Sequence, residues 1–219
     1  ETKMRLSAYV LSILLCLPLW AGGAAEPLSA LKEAVKKLRT APRVKVDFKK
    51  EKTNEALGFG SKTSGVLRLS KGRLRMDVEK PEEATVVFDG KTLWHAQKVI
   101  GFEGESWQVL RVSGQNLKKV QSPLAVFLGE DNIWQKIHID TEKSKGRLFV
   151  LKPQKPKEFS GVTEMRVTLN ASGEILRFSY LDDIENDVVF EFGKFDWSAK
   201  TKSSLFKFKV PKGAEVKTL

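Results

Sequence analysis

The sequence predicts a mainly β protein in which many short antiparallel strands curl into a barrel or a strongly curved sheet, accompanied by two or so helices. Three observations support this fold class. Apolar and polar residues alternate over most of the chain beyond residue 43, as in strands with one buried face. Turn-forming pairs such as Lys71-Gly72 and Asp89-Gly90 separate the alternating runs. About ten or eleven strands follow one another through short connections, and such a sheet must curve to hide its edges.

Residues 1–25 are predicted to be a cleavable signal peptide, with residues 1–3 interpreted as an upstream remnant. Arg5 supplies a positive charge, Leu6 to Trp20 form the apolar region, and Gly23 to Ala25 form the cleavage site. The apolar run, about 15 residues, is shorter than the ~20 that a membrane anchor needs. Residues 26–219 are therefore predicted to form one exported domain. The single cysteine, Cys16, would leave with the leader, which suits a disulfide-free protein of the bacterial periplasm.

The formal net charge is +11, which raises the question of a nucleic-acid ligand. Export argues against that ligand, and the charges are spread along alternating strand residues rather than clustered. The sequence therefore favours solvated strand faces and no nucleic-acid partner. A weak affinity for anionic lipid surfaces stays open.

Two segments are predicted to be helical. Over Pro27 to Arg39, apolar residues recur at helical spacing, which predicts an amphipathic helix with one buried stripe. Residues 122–129, SPLAVFLG, begin with a capping serine and a proline and end with a glycine. This short helix is apolar on every side, so we expect it to be buried at the mouth of the barrel. From the residues alone, we favour the interpretation that this helix is a fixed plug of the barrel over the interpretation that it is a mobile lid.

The strands are predicted from runs with period 2. These runs are residues 44–48, 67–69, 74–78, 86–95, 137–139, 148–150, 165–169, 176–180, 188–192 and 206–210. In the 86–95 run, Asp89-Gly90 predicts a two-residue hairpin turn that pairs Phe88 with Lys91 and Val86 with Leu93. Phe88, Val86 and Leu93 then share one face, while Val87 and Trp94 share the other. Both faces carry bulky apolar groups, so both need a cover.

The sequence offers no catalytic or metal site. It contains two histidines, His95 and His138, far apart in sequence, and alternation places His138 towards solvent. No nucleophile-elbow or phosphate-loop pattern is present. Asp182-Asp183 is interpreted as a turn between strands. We therefore expect a binding protein with no enzymatic activity and no cofactor.

Six segments that follow one another along the mature chain carry a family resemblance: GVLRLSKGRLRMDVEKP (65–81), FDGKTLWHAQ (88–97), QSPLAVFLG (121–129), FVLKP (149–153), GEILRFSYLDD (173–183) and FKFKVPKGAEV (206–216). Taken in this order, they resemble the LolA family of periplasmic outer-membrane lipoprotein carriers. The resemblance implies an unclosed antiparallel half-barrel of about eleven strands, whose helices cover a concave hydrophobic face. That face would hold the acyl chains of lipoproteins on their way from the inner to the outer membrane.

The resemblance and the strand alternation together predict a lipid-binding cavity. Its predicted lining is Phe48, Leu67, Leu69, Leu74, Met76, Val86, Phe88, Leu93, Phe178 and Phe190. Leu124, Phe127 and Leu128 of the short helix are predicted to close the cavity when it is empty and to contact the acyl chains when it is filled.

The sequence departs from the family pattern at the step that ties the barrel to its lid. Ser70 stands where the family has an arginine, and Lys71 stands where it has a proline. Met76 replaces a tryptophan, which makes the lining more pliable. We therefore expect the lid to lack its arginine latch, with the hydrophobic cavity intact.

The resemblance also implies partners: acylated lipoproteins as cargo, an inner-membrane ABC-type lipoprotein-releasing transporter as donor, and an outer-membrane lipoprotein acceptor, with the carrier itself a monomer. Two alternatives stay open. One is a different lipid-binding module on the same fold, such as a lipoprotein sensor or a glycolipid carrier. The other is an envelope enzyme or scaffold with a filled barrel, which should show polar groups that converge inside it.

Overall fold

Twelve β-strands form one sheet in the computed structural model of the protein, which describes residues 28–79, 83–101, 104–118 and 131–219. The helical elements are α1 (Leu28–Thr40) and four 3-10 helices at Gly114–Lys118, Asp131–Gln135, Pro156–Phe159 and Ser203–Phe206. The strands are β1 (Val44–Asn54), β2 (Phe59–Ser70), β3 (Arg73–Val78), β4 (Ala84–Phe88), β5 (Thr92–Gly101), β6 (Gly104–Ser113), β7 (Ile137–Ile139), β8 (Leu148–Pro153), β9 (Val162–Leu169), β10 (Ile175–Asp182), β11 (Asn186–Phe192) and β12 (Glu215–Thr218). The predicted helix at 122–129, with Leu124, Phe127 and Leu128, lies outside the described residues, as does the predicted signal peptide.

The sheet consists of two antiparallel meanders joined side by side, β1 to β6 and β7 to β11, with β12 added in parallel at one edge. Its strand order is β12-β6-β5-β4-β3-β2-β1-β11-β10-β9-β8-β7, so that β1 of the first meander pairs with β11 of the second. The two outermost strands, β12 and β7, do not pair with each other, which leaves the sheet unclosed. The predicted fold class, a mainly β unclosed barrel, is confirmed, with twelve strands rather than about eleven.

Helix α1 packs on one face of the sheet, which we call the inner face. Its apolar stripe, Leu31, Ala34, Val35 and Leu38, is buried in one cluster with strand residues from β1, β2, β3, β8, β9 and β10. Directly opposed residues of neighbouring strands share a face, so the inner face follows from the pairing. One row across it runs through Val44, Leu69, Leu74, Phe88, Leu93 and Val112. The predicted helix over Pro27 to Arg39 is confirmed within the described residues. Within the part of the chain that the structure describes, no helix is long and apolar enough to cross a membrane.

The opposite, outer face of β3 to β5 is covered by the segment that follows β11. Phe206 is 1% exposed, and the Arg73 guanidinium lies 4.9 Å from the centre of its ring. Phe208 stacks on Trp94 with 5.2 Å between ring centres, and Arg75 Nη1 donates a hydrogen bond to the Leu205 carbonyl at 3.2 Å. This segment is the cover that the second apolar face of the 86–95 hairpin requires.

The predicted strand over residues 206–210 is wrong. Phe206 ends a 3-10 helix and Lys207 is extended. The residues from there to β12 belong to no strand and include a turn at Lys212-Gly213. β12 then pairs with β6 in parallel. The alternation of Phe206, Phe208 and Val210 reports an extended backbone whose aromatic groups turn towards the outer face. An extended backbone has a side-chain period of 2 whether or not a neighbouring strand pairs with it.

The predicted register of the 86–95 hairpin is also wrong, although its faces are right. Phe88 pairs with Leu93 rather than Lys91, and Val86 pairs with His95. The Asp89 carboxylate accepts hydrogen bonds from the backbone N–H groups of Lys91 and Thr92, both at 2.8 Å, which widens the turn. The register therefore shifts by two residues, and a shift of two leaves every side chain on its predicted face.

A third correction concerns β10. Alternation predicts Leu176 as an inward residue, but Leu176 is 48% exposed and its neighbour Ile175 is buried instead. The pairing of β10 with β9 is irregular between Ile175 and Arg177, so the two faces exchange there. Phe178 and Tyr180 beyond this irregularity do face inward.

Candidate functional site

The ten predicted lining residues all lie on the inner face. Five of them are buried in the cluster around α1, namely Phe48, Leu67, Leu69, Leu74 and Phe178. Four are half-buried and pack against that cluster, namely Met76, Val86, Phe88 and Phe190. Leu93 is half-buried and stands opposite Phe88. The structure thus brings the set together, and its role in binding stays a prediction.

The degree of burial divides this set into two parts. The fully buried residues are occupied by the protein's own core and are not available to a ligand. The five half-buried ones and Val78, a further half-buried residue of the inner face, are what we call the apolar patch: Met76, Val78, Val86, Phe88, Leu93 and Phe190. Its members come from β3, β4, β5 and β11, and a ligand with apolar chains would bury area here that the fold leaves partly exposed.

An aromatic row, which the sequence analysis did not identify, leads from this patch towards α1. Neighbouring ring centres lie 5.5 to 6.3 Å apart along Phe190, Phe192, Phe195 and Trp197. At the end of the row, the Trp197 indole donates a hydrogen bond to Glu174 at 2.7 Å, and the Lys37 ammonium of α1 lies 4.0 Å from the Trp197 ring centre. Phe195 and Trp197 are two residues apart in the segment FDW. In an extended chain this spacing places both side chains on the same side, and it is the signal in the sequence that could have identified the pair.

Ser70 makes two hydrogen bonds through its side chain. Its hydroxyl donates a hydrogen bond to the Pro42 carbonyl at 2.8 Å and accepts one from Arg73 Nη2 at 3.1 Å. Pro42 belongs to the connection between α1 and β1, so Ser70 ties the end of β2 to that connection. The predicted loss of the arginine latch concerns the lid at residues 122–129, which lies outside the described residues, and stays a prediction.

Removing the Ser70 hydroxyl should therefore cost stability. Ser70 is 7% exposed, and Ser70→Ala leaves the Pro42 carbonyl without this donor. We expect the free energy of unfolding to fall by about 1 to 2 kcal/mol, measured by urea denaturation. Ser172→Ala, in the exposed 170–174 turn, is the matched control and should change little. Equal stability of Ser70→Ala and wild type would show that the contact is not needed.

His95 is the histidine of the inner face, where it stands opposite Val86. Burial lowers the pKa of its imidazole from the ordinary 6.5, and the positive charge of Lys50 lowers that pKa further. Three strands separate β1 from β5, so this influence of Lys50 reflects the curvature of the sheet. His95 is accordingly neutral at pH 7. The other histidine, His138, is exposed on β7 as predicted.

The lowered pKa of His95 predicts a pH-dependent stability. Below pH 6.5 the unfolded chain binds a proton that the folded chain resists, so the free energy of unfolding should fall as the pH drops through 6.5. Urea denaturation at several pH values between about 5 and 8 measures the slope. His95→Gln should flatten it, whereas His138→Gln controls for the loss of an imidazole elsewhere. An unchanged slope in His95→Gln would contradict the assignment.

Two further observations concern other possible binding sites: a surface depression and the distribution of metal-binding side chains. A depression of about 660 Å³ at β1, β2 and β11 is lined by the charged residues Lys45, Asp47, Lys49, Glu79 and Glu191 and also by Phe48, Val66 and Phe192. Its lining therefore mixes charged and apolar groups. Within the described residues, no three His, Cys, Asp or Glu side chains converge as a metal site would require.

Comparison with known proteins shows which family these features match. The model of the outer membrane lipoprotein carrier protein LolA family matches residues 39–209. The outer-membrane lipoprotein carrier protein of Glaesserella parasuis is 26% identical over 189 residues, covering 85% of this chain and 84% of that protein. The Vibrio cholerae carrier of the same name is 28% identical over 143 residues, covering 65% and 66%. A LolA superfamily structure from Nitrosomonas europaea covers 82% of this chain and 96% of that chain, with 13% identity and a TM-score of 0.41.

Proposed function

Because the chain belongs to the LolA family of outer membrane lipoprotein carrier proteins, we propose that it binds the acyl chains of lipoproteins and carries them across the periplasm to the outer membrane. It acts as a binding protein and chaperone rather than an enzyme. The observation that supports this proposal most directly is the apolar patch on the inner face of an unclosed sheet.

The energetics of such a carrier follow from the apolar patch. Each methylene group removed from water contributes about 0.8 kcal/mol, so a lipoprotein anchor with several acyl chains gains a large free energy from any apolar surface that covers it. The carrier must supply this surface and still release its cargo. Half-buried side chains such as Met76, Val86 and Phe88 suit this task, because their partial exposure in the empty protein leaves area for a ligand to bury.

The pathway around the carrier extends the same proposal. Residues 1–25 direct export and are removed, and residues 26–219 form the carrier domain. An inner-membrane ABC-type transporter hands over the acylated cargo, and an outer-membrane acceptor receives it where one exists. In this proposal the carrier works as a monomer.

Mass spectrometry of solvent-extracted protein, purified from the periplasm without detergent, tests the proposal. We expect acylated peptides or whole lipoproteins to copurify at close to one anchor per carrier. A second assay adds the purified protein to spheroplasts and measures lipoproteins released into the medium. Glycolipid in place of acylated peptide would favour a glycolipid carrier. If no acylated species copurified and none were released, the proposed function would be wrong.

A further inference from the structure

Polar side chains lie next to the apolar patch on the inner face of β5. His95 follows Leu93 by two residues and stands opposite Val86, and both of these neighbours belong to the patch. At about 3.4 Å per residue, His95 lies roughly 7 Å along the strand from Leu93. Gln97 is the next residue of β5 on this face, and its cross-strand partner on β6 is Gln108. We call His95, Gln97 and Gln108 the polar strip.

The polar strip has hydrogen-bonding capacity that the protein does not use. None of its three side chains makes a hydrogen bond with another residue of the described part of the chain. His95 and Gln97 are half-buried and Gln108 is exposed, so all three remain accessible to solvent. An acyl chain that covers the apolar patch displaces water at the border of the patch. The polar strip then loses hydrogen bonds to water unless the ligand replaces them.

The charges around the polar strip are of both signs. The edge strand β12 places Glu215 beside Gln108, and Lys217 follows two residues later on the same face, where both are exposed. The positive charge of Lys50 also acts on His95, and Lys50 has an interaction of its own. A charged ligand group would meet both attraction and repulsion here, so the strip favours an uncharged group.

The chemistry of the polar strip matches an uncharged carbonyl group. The lowered pKa of His95 leaves its imidazole neutral at pH 7, so one ring nitrogen donates a hydrogen bond and the other accepts one. Each glutamine amide likewise both donates and accepts. An ester carbonyl accepts such hydrogen bonds, and an amide group both accepts and donates them.

We propose that the polar strip binds the ester or amide group that joins an acyl chain to its head group, while the chain itself lies on the apolar patch. This inference rests on the proposed function and deepens it, because it specifies the linkage that the carrier recognises. A site whose polar groups are paired by the correct ligand discriminates against an analogue that leaves them unpaired. An acyl ligand without a carbonyl group is such an analogue.

Four probes with matched chain length test the proposal: monopalmitoylglycerol with an ester, N-palmitoylethanolamine with an amide, hexadecylglycerol with an ether and no carbonyl, and palmitate with a carboxylate. Each displaces a fluorescent acyl probe at neutral pH, below its own micelle concentration. We expect wild type to bind the ester, the amide or both about tenfold more tightly than the ether. The first two probes distinguish an ester ligand from an amide ligand. Palmitate should bind no more tightly than the better of these two.

Variants then locate the preference. The double variant His95→Phe and Gln97→Leu removes the polar groups with little change in volume, and should bind the carbonyl probes and the ether with equal affinity. The control combines the same two changes at exposed positions, His138→Phe and Gln135→Leu, at the sheet edge opposite β12, and should retain the preference. Circular dichroism serves as the test of folding. Gln108→Leu, at an exposed position, is a second test should the double variant not fold, and should reduce the preference about threefold.

The outcomes separate this inference from the proposed function. If wild type binds the ether as tightly as the ester and the amide, the polar strip does not recognise the linkage, and the carrier function stands. A preference that persists in the folded variants would place the carbonyl group elsewhere and overturn the inference. Tighter binding of palmitate than of both carbonyl probes would show that the site prefers an anion, which also overturns it. If wild type binds none of the four probes, acyl binding itself is refuted, and the inference with it.

Discussion

Replacing Phe88 by aspartate is expected to reduce the affinity for acyl chains roughly 100-fold, or about 2.7 kcal/mol. Phe88 is half-buried in the middle of the apolar patch, opposite Leu74 on β3 and Leu93 on β5. A carboxylate at this point either remains hydrated, and so holds water between the sheet and the chain, or loses its hydration when the chain binds. Both cases remove most of the hydrophobic gain.

The measurement is titration with a fluorescent fatty-acyl probe, and circular dichroism serves as the test of folding. Leu176→Asp introduces the same charge at an exposed position of β10 and should bind the probe as wild type does. In the copurification experiment, Phe88→Asp should yield protein without bound lipid. Undiminished affinity in folded Phe88→Asp would show that acyl chains do not use the inner face of β4.

Truncating Phe206 is expected to lower the free energy of unfolding by about 3 to 5 kcal/mol, the usual range for a buried phenylalanine. Phe206 is 1% exposed and fixes the segment after β11 to the outer face of β3, where the Arg73 guanidinium covers its ring. Phe206→Ala leaves a cavity there and loosens the neighbouring stack of Phe208 on Trp94. The loss is large beside a total stability of about 5 to 15 kcal/mol.

Urea denaturation measures the loss of stability in Phe206→Ala and in the matched control Phe59→Ala, which truncates the same side chain at an exposed position. Phe59 is 47% exposed at the start of β2, so its truncation should cost less than about 1 kcal/mol. A loss at Phe206 no larger than at Phe59 would mean that the segment after β11 is not part of the cooperative fold. A further expected result is increased exposure of Trp94 in Phe206→Ala, observed as a red shift of its fluorescence.

Strand alternation correctly predicted which side chains share a face of the sheet, because the alternation is a property of the strand backbone itself. A strand turns successive side chains to opposite faces, so the choice of face at Val86, Phe88 and Leu93 survives the two-residue error in register. At Leu176 the same reasoning failed, because a local irregularity in the pairing of β10 with β9 exchanges the faces, and alternation carries no sign of it.

The lysines of β1 illustrate a different limit of sequence analysis, namely the assignment of charged residues to one face of a strand. The run Lys49-Lys50-Glu51-Lys52 reads as a solvated stretch, and the sequence analysis interpreted the charges as solvated strand faces. The pairing of Lys50 with Phe190 and Thr63 shows instead that part of this charge lies inside the curved sheet. In a consecutive run of charged residues, both faces of the strand receive charge, and hydrophobic alternation cannot distinguish them.

By itself, the sequence determined the amphipathic helix α1, most of the alternating strands, most of the turns between them and which side chains of the 86–95 hairpin share a face, but it missed β6 and β12. Each of the features that it determined follows from spacing over a few residues, where backbone geometry alone sets which side chains are neighbours. Tertiary structure alone decided that β1 pairs with β11, that β12 joins β6 in parallel, and that Phe206 and Phe208 cover the outer face. These contacts join segments more than 90 residues apart in the chain, and their selection depends on the burial achieved by the whole sheet, which no local pattern encodes.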